Sequence, residues 1–269
     1  MAIVREPVVA GRFYPSNAAQ LSKDIASYLS PQADKVTAIG CIAPHAGYMY
    51  SGRVAGAVFS KIEIPSRCIV LGPNHTGCGH PLAITVHGSW RTPLGDLSVD
   101  QELATQLVDT FPAISEDSTA HRFEHSIEVE VPFLQKLRPE LQFVPIAVGT
   151  GQLVIVEHLG KAIAHVVQAQ SEPVLIIASS DMNHYEDDAT TRVKDRKAID
   201  RILALDPRGL HETVLNESIS MCGFGPSVAM LTAAKRLGAQ KAELVEYATS
   251  GDISGDREKV VGYAGIIVF

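Results

Sequence analysis

The sequence predicts an α/β protein: a single domain with a mainly parallel central sheet flanked by helices. Two observations lead there. Short Val- and Ile-rich runs bounded by Gly or Pro alternate with segments of helical periodicity, an alternation that produces parallel sheets. The runs are also apolar almost continuously, as in strands covered on both faces. With 269 residues and no repeat, low-complexity tract or linker, the chain fits one domain over 1–269.

The elements follow in order. Residues 17–29 read as a helix that Ser16 or Asn17 can cap. AIGCIAP (38–44) is a strand, Ser51 precedes a helix over 52–61, and RCIVLGP (67–73) is the next strand. LAITVHG (82–88) reads as a strand and 99–110 as a helix. Over 126–137 the apolar residues Ile127, Val131 and Leu134 have helical spacing, but Pro132 requires a late start or a kink. Ser126 suits the cap of that helix, and Glu128 and Glu130 suit the positive end of its dipole. FVPIAVG (143–149) and VLIIASS (174–180) are strands, with helices over 152–168 and 190–204. A helix over 226–237 opens at Pro226, and AELVEYAT (242–249) and VGYAGIIVF (261–269) close the chain as strands. The intervening SGDISGD (250–256) reads as a turn-rich loop, since it lacks the spacing and terminal glutamate of an EF-hand. Antiparallel members of the sheet are compatible with this pattern.

A net charge of -7 and a pI near 5.8 argue against a nucleic-acid partner. No apolar run is long enough to span a bilayer, so no membrane association is expected. The opening MAIVREPVVAGRFYP lacks the apolar core of a signal peptide, and the four cysteines form neither a CxxC pair nor a dense framework. Reduced thiols and a cytoplasmic location are expected. Cys41 and Cys68 lie inside strands and read as core. HExxH, GxSxG, GxGxxG and GxxxxGK[ST] are absent, which removes support for a zincin, an α/β-hydrolase, a dinucleotide site or a P-loop.

Polar residues gather just after strands. His45 follows 38–44, His75 follows 67–73, and Asp181 and His184 follow 174–180. Ligands of open α/β sheets bind beyond the carboxyl ends of strands, so these four side chains can share one rim if their strands are neighbours. Glu124 and His125 could project into the same crevice, and Arg122 could hold an anion. Cys222 stands just before a helix, whose N-terminus favours thiolate; it reads as a nucleophile, a soft metal ligand or a buried core thiol. Cys78, beside His75 and His80, is a rival ligand.

The segments PHAGYMYSG, LGPNHTG, EHSIEVEVPFLQ, SSDMNHY, MCGFGP and VGYAG occur in that order. Together they resemble the MEMO family, whose prokaryotic members are often labelled AmmeMemoRadiSam system protein B. The likeness runs from GRFYP near the start to the closing VGYAG. It implies a fold similar to class III extradiol dioxygenases, which hold non-haem Fe(II) with two histidines and a carboxylate. It further implies that His45 and His75 are the metal-binding histidines and that Cys222 takes the carboxylate's place. His184 matches the acid/base histidine, with Asp181 and His125 lining the same pocket. A His2Cys set suits Fe(II), with copper or zinc as alternatives, and its thiolate is oxidisable.

The function this implies is a dioxygenase-like, metal-dependent oxidoreductase of unknown substrate. His184 would move a proton, Asp181 would orient His184 or take part in the transfer, and Tyr48, Tyr50 and Tyr185 would shape the crevice for a small-molecule or peptide ligand. The alternative is a peptide- or protein-binding module on the same scaffold without turnover, with Arg53, Arg91 and Arg122 as anion contacts. Zinc-assisted hydrolysis, with Asp181 or His184 as base, ranks behind both.

Overall fold

A computed structural model describes residues 3–30 and 33–269. In chain order its elements are β1 (Val4–Arg5), α1 (Ala18–Tyr28), β2 (Gly40–Ala43), α2 (Tyr48–Lys61), β3 (Arg67–Pro73), β4 (Leu82–Ile84), β5 (Ser89–Thr92) and β6 (Gly95–Ser98). There follow α3 (Gln101–Thr110), β7 (Ser115–Glu116), α4 (Val131–Leu137), β8 (Gln142–Val148), α5 (Leu153–Gln168), β9 (Val174–Ser179) and β10 (His184–Glu186). The chain closes with α6 (Asp188–Leu203), α7 (Pro207–Asn216), α8 (Phe224–Arg236), β11 (Ala242–Thr249), α9 (Ser250–Ser254) and β12 (Val260–Val268).

The large sheet runs β10-β12-β2-β9-β3-β8-β4-β7, with β11 also paired to β12. Strands β2, β9, β3 and β8 are mutually parallel, while β12 and β4 join antiparallel at either flank. The sheet is therefore mixed and mostly parallel, as the sequence predicts. Because β2, β9 and β3 are neighbours, the residues that follow Ala43, Ser179 and Pro73 meet along one rim.

Helices cover both faces. Along β3, Ile69 and Leu71 join the core layer that includes α5 and α8, while Cys68 and Val70 join the layer that includes α1, α2 and α4. Successive side chains of a strand point to opposite faces, so a strand covered on both sides must be apolar at every position. Cys41 and Cys68 are buried in this core, as expected. A second, three-stranded sheet, β1-β5-β6, clasps the N-terminal segment.

Several local expectations fail for identifiable reasons. The segment 82–88 is a strand only over β4, because Gly88 has φ +95 and redirects the chain toward β5. Ser51 does not cap α2, which starts at Tyr48; its hydroxyl donates to the Ala46 carbonyl instead. The helix expected over 126–137 begins only at Val131, with Pro132 in its first turn. Ser126 is accordingly no cap, and its hydroxyl donates to the Pro73 carbonyl at 2.8 Å. The loop over 250–256 contains the short helix α9, held by a Thr249–Asp252 capping box. Helix α7, capped by Asp206, had no sequence expectation. Among the described residues no helix is long and apolar enough to cross a membrane.

Candidate metal centre

Strand β2 ends because Pro44 has no N–H to continue the ladder. The next residue, His45, is 2% exposed, and its backbone N–H donates to Asp181 Oδ1 at 2.8 Å. After β3, the Asn74 side chain accepts from the N–H groups of Thr76 and Gly77, with Gly77 at φ +66. That turn presents His75 to the rim. The segment 121–130 crosses above Gly72, where an added Cβ would sit 2.5 Å from Ser126 Oγ. Glycine there permits His125 to come down beside the other two histidines.

The three imidazoles converge. His45, His75 and His125 each offer one ligand atom, and these atoms lie within 4.8 Å of one another. Their rings have centroid separations of 5.2 Å (45–75), 5.5 Å (45–125) and 4.8 Å (75–125). Phe13 packs edge-on against His125 at 4.9 Å.

Carboxyl groups behind the rings set their tautomers. Glu124 Oε1 accepts from His75 Nδ1 at 2.9 Å and from the backbone N–H groups of His125 and Ser126 at 2.8 and 2.9 Å. Its Oε2 accepts from the His75 backbone. Burial pushes this carboxyl up, but the His75 hydrogen bond and charge outweigh it and hold the group down at about 2. A carboxylate only accepts, so Nδ1 of His75 carries a proton, and it is in the neutral ring that Nε2 keeps a free lone pair.

His45 is set by a longer relay. Ser179 Oγ lies 2.8 Å from His45 Nδ1, 2.7 Å from the Ser126 carbonyl and 2.8 Å from Glu130 Oε1. A hydroxyl carries one proton, and the carbonyl can only accept. All three contacts are satisfied together when Ser179 donates to Ser126, while His45 Nδ1–H and a protonated Glu130 donate to Ser179. Burial pushes Glu130 up to about 8 against the Ser179 hydrogen bond, with the Asp181 charge adding to the rise. A neutral Glu130 follows at pH 7. His45 Nε2 is then the free nitrogen, and burial, aided by the neighbouring histidines, keeps this ring neutral far below the usual imidazole range.

Cys222 Sγ lies 3.4 Å from His45 Nε2 and 3.6 Å from the Asp181 carbonyl. Gly223 makes that approach possible, since a Cβ there would run into the Ser179 carbonyl and the Ser180 side chain. The helix terminus of α8 does not lower this thiol, contrary to expectation. Burial, then the Asp181 charge, push it well above the usual thiol range, and the nearby backbone N–H groups only partly oppose them. Burial likewise raises Asp181 to about 7, against hydrogen bonds from the His45 and Ala46 backbones. His184 takes Ser220 Oγ on its backbone N–H and the Ser220 carbonyl on Nδ1 at 2.9 Å. Burial lowers it, with carbonyls of Ser220 and Met182 opposing.

The residues of this constellation belong to segments spread over most of the chain, from His45 to Cys222. The model of the Memo-like protein family matches residues 5–267. The chain belongs to the Memo-like family. A MEMO1 family protein of Methanopyrus kandleri is 43% identical, covering 98% of this chain and 98% of its own. Another, of Methanosarcina barkeri, is 42% identical over 98% of this chain and 100% of its own. A crystal structure of an uncharacterized protein from Escherichia coli K12 superposes with a TM-score of 0.54 at 13% identity, covering 83% of this chain and 98% of that one. That likeness concerns the fold alone.

Some residues expected at the Memo-like site lie elsewhere. Tyr48 is buried in the core, donating to the Val129 carbonyl at 2.8 Å. Tyr50 packs with Val54 and Tyr263. Arg53 is paired with Glu246, and Arg91 with Glu6 and Asp96, which removes both as free anion contacts. Cys78 is exposed, and neither it nor His80 belongs to the three-histidine group. Glu128 and Glu130 are not dipole partners. Glu128 is buried and accepts from Arg5, the Val8 and Val9 backbones and Tyr14. The Ser179–Glu130 relay escaped the sequence reading, since nothing local marks Ser179 as facing a residue 49 positions away.

Proposed function

We propose that this Memo-like protein is a metal-dependent oxidoreductase whose cation sits in the crevice of His45, His75, His125 and Cys222. The observation that carries this reading is the convergence of three imidazole donor atoms within 4.8 Å. The donor set fits a cation. Glu124 and the Ser179–Glu130 relay leave Nε2 free on His75 and His45, and Cys222 Sγ faces His45 Nε2. His45 and His75 would hold the ion together with Cys222, and His125 would add a third nitrogen. Imidazole with thiolate suits Fe(II), copper or zinc; we favour Fe(II), which would supply one-electron and oxygen chemistry when bound.

The chain's own groups supply the rest. Asp181 fixes the His45 backbone and, with its pKa raised to about 7 by burial, can exchange a proton near neutral pH. His184, anchored through Nδ1, keeps Nε2 for proton transfer to a bound small molecule. Phe13 packs edge-on against His125 and restricts its ring.

The test is oxygen uptake by Fe(II)-loaded protein, prepared without oxygen, across a panel of catechols and thiols. Turnover above that of free iron, lost in His184→Ala, supports the reading. Rates equal to free iron across the panel refute it. One observation favours a second reading, a peptide- or protein-binding module. Met49 and Tyr185 are 65% and 74% exposed, and Tyr185 is held at φ +64 directly after His184. Saturable peptide binding without oxygen uptake is the outcome that reading requires.

A further inference from the structure

A second cavity lies between the N-terminal segment, β5 and the loop 118–123. Its volume is about 540 Å³, within the range of sites that hold small organic molecules. Two fully buried polar side chains on its wall lack hydrogen-bond partners among the described residues. They are Trp90, through Nε1, and His121, whose ring has only the Ala83 backbone nearby. Buried polar groups are nearly always satisfied, so each such orphan needs an explanation. Burial, then the Arg5 charge, lower His121 to about 4 against the Ala83 carbonyl, so this ring is neutral and carries no charge into the wall.

The charge balance of the wall is specific. Arg5 is neutralised by Glu128, and Glu6 is held by Arg91. Arg122 is left with no acidic partner among the described residues; its guanidinium lies over the Phe123 ring at 5.2 Å. Phe123 is 62% exposed at the mouth. The hydroxyls of Ser118 and Thr119 stand beside it, and Ile3, Val4 and Val8 line the apolar side. One free guanidinium fork matches one carboxylate, and an apolar wall with the exposed Phe123 ring at its mouth matches a planar hydrocarbon body.

We propose that this cavity is a second ligand site, for a small aromatic carboxylate anchored by Arg122. The site is wired to the metal crevice. Arg5 donates to the carbonyls of both His121 and Glu124, and residues 121–125 run unbroken from the cavity to His125. Occupancy would therefore bear on the segment that positions two of the three imidazoles.

Trp90 is the single tryptophan of the chain, so its fluorescence reads the cavity directly. The experiment titrates the full-length protein with benzoate, and in parallel with uncharged benzamide, following Trp90 emission. Saturable single-site binding of benzoate is expected, weakened about tenfold or more by Arg122→Ala and only partly restored by Arg122→Lys, which keeps the charge but not the fork. Cys222→Ala should leave it intact, which separates this site from the metal crevice. Arg122 is exposed, so its variants keep the fold. Absence of saturable change, equal binding of benzamide, or insensitivity to Arg122→Ala would each overturn the proposal.

Discussion

Cys222 Sγ lies 3.4 Å from Nε2 of His45, although 177 positions separate them in the chain. The thiol approaches the one nitrogen of His45 that the Ser179 contact leaves free. The protonated thiol and that unprotonated nitrogen stand at S–H···N hydrogen-bond distance, so sulfur and nitrogen face the same small space.

The thiol is protonated at neutral pH, because burial outweighs the helix terminus. Binding a cation through sulfur must therefore release that proton. Calorimetry with Zn(II) in two buffers of different ionisation enthalpy should show about one more proton released by the natural protein than by Cys222→Ala. Affinity should drop roughly a hundredfold in the variant, about 2.7 kcal/mol. Equal proton counts would remove Cys222 from the ligand set.

Glu124 orients His75, so Glu124→Gln should weaken cation affinity about 10- to 100-fold. The same carboxylate stabilises the fold. Its pKa in the fold, about 2, is depressed from the ordinary 4.5, so its contribution is full above pH 4.5 and is lost as pH falls through 2. Denaturant titrations should show Glu124→Gln less stable by about 3 kcal/mol at pH 7, with the gap closing toward pH 2. A gap unchanged by acid would contradict this assignment.

Glu130 has the opposite sign. Its pKa in the fold, raised to about 8, means that the folded state holds a proton the unfolded chain gives up above 4.5. Stability should fall as pH rises from 4.5 to 8, by an amount on the order of 3 kcal/mol from this group. Glu130→Gln keeps a neutral donor to Ser179 and should flatten that slope, read by chemical denaturation at pH 5 and pH 8. An unchanged slope would mean that Glu130 is ionised in the fold.

How much of this was legible beforehand divides by range. Strands β2, β3, β8 and β9 are buried on both faces and at least four residues long, so composition and bounding Gly and Pro marked them. Strands β1 and β7 have two residues each and carry no pattern. His45, His75, Asp181 and His184 could be grouped because all follow strands that prove to be neighbours. Glu128 and Glu130 were misassigned because the helix start falls at Val131, five residues past the apparent Ser126 cap. Their true partners, Arg5 and Ser179, lie 123 and 49 positions away, which periodicity cannot see.

Packing at the crossing over β3 gives a further outcome. Gly72→Ala would place a Cβ 2.5 Å from Ser126 Oγ and 2.7 Å from Ile127 Cγ1. The segment 121–130 must then lift, costing roughly 1–3 kcal/mol and displacing His125. Thermal denaturation and Zn(II) affinity should both fall. A loss of stability with unchanged affinity would show that His125 is not needed for the cation.

Anomalous diffraction from crystals soaked in Co(II) tests the central claim most directly. One strong peak is expected about 2.0–2.3 Å from nitrogens of His45 and His75, with His125 or Cys222 Sγ at the same distance. A peak elsewhere, for example beside Cys78 and His80, or no peak at full soak concentration, would contradict it.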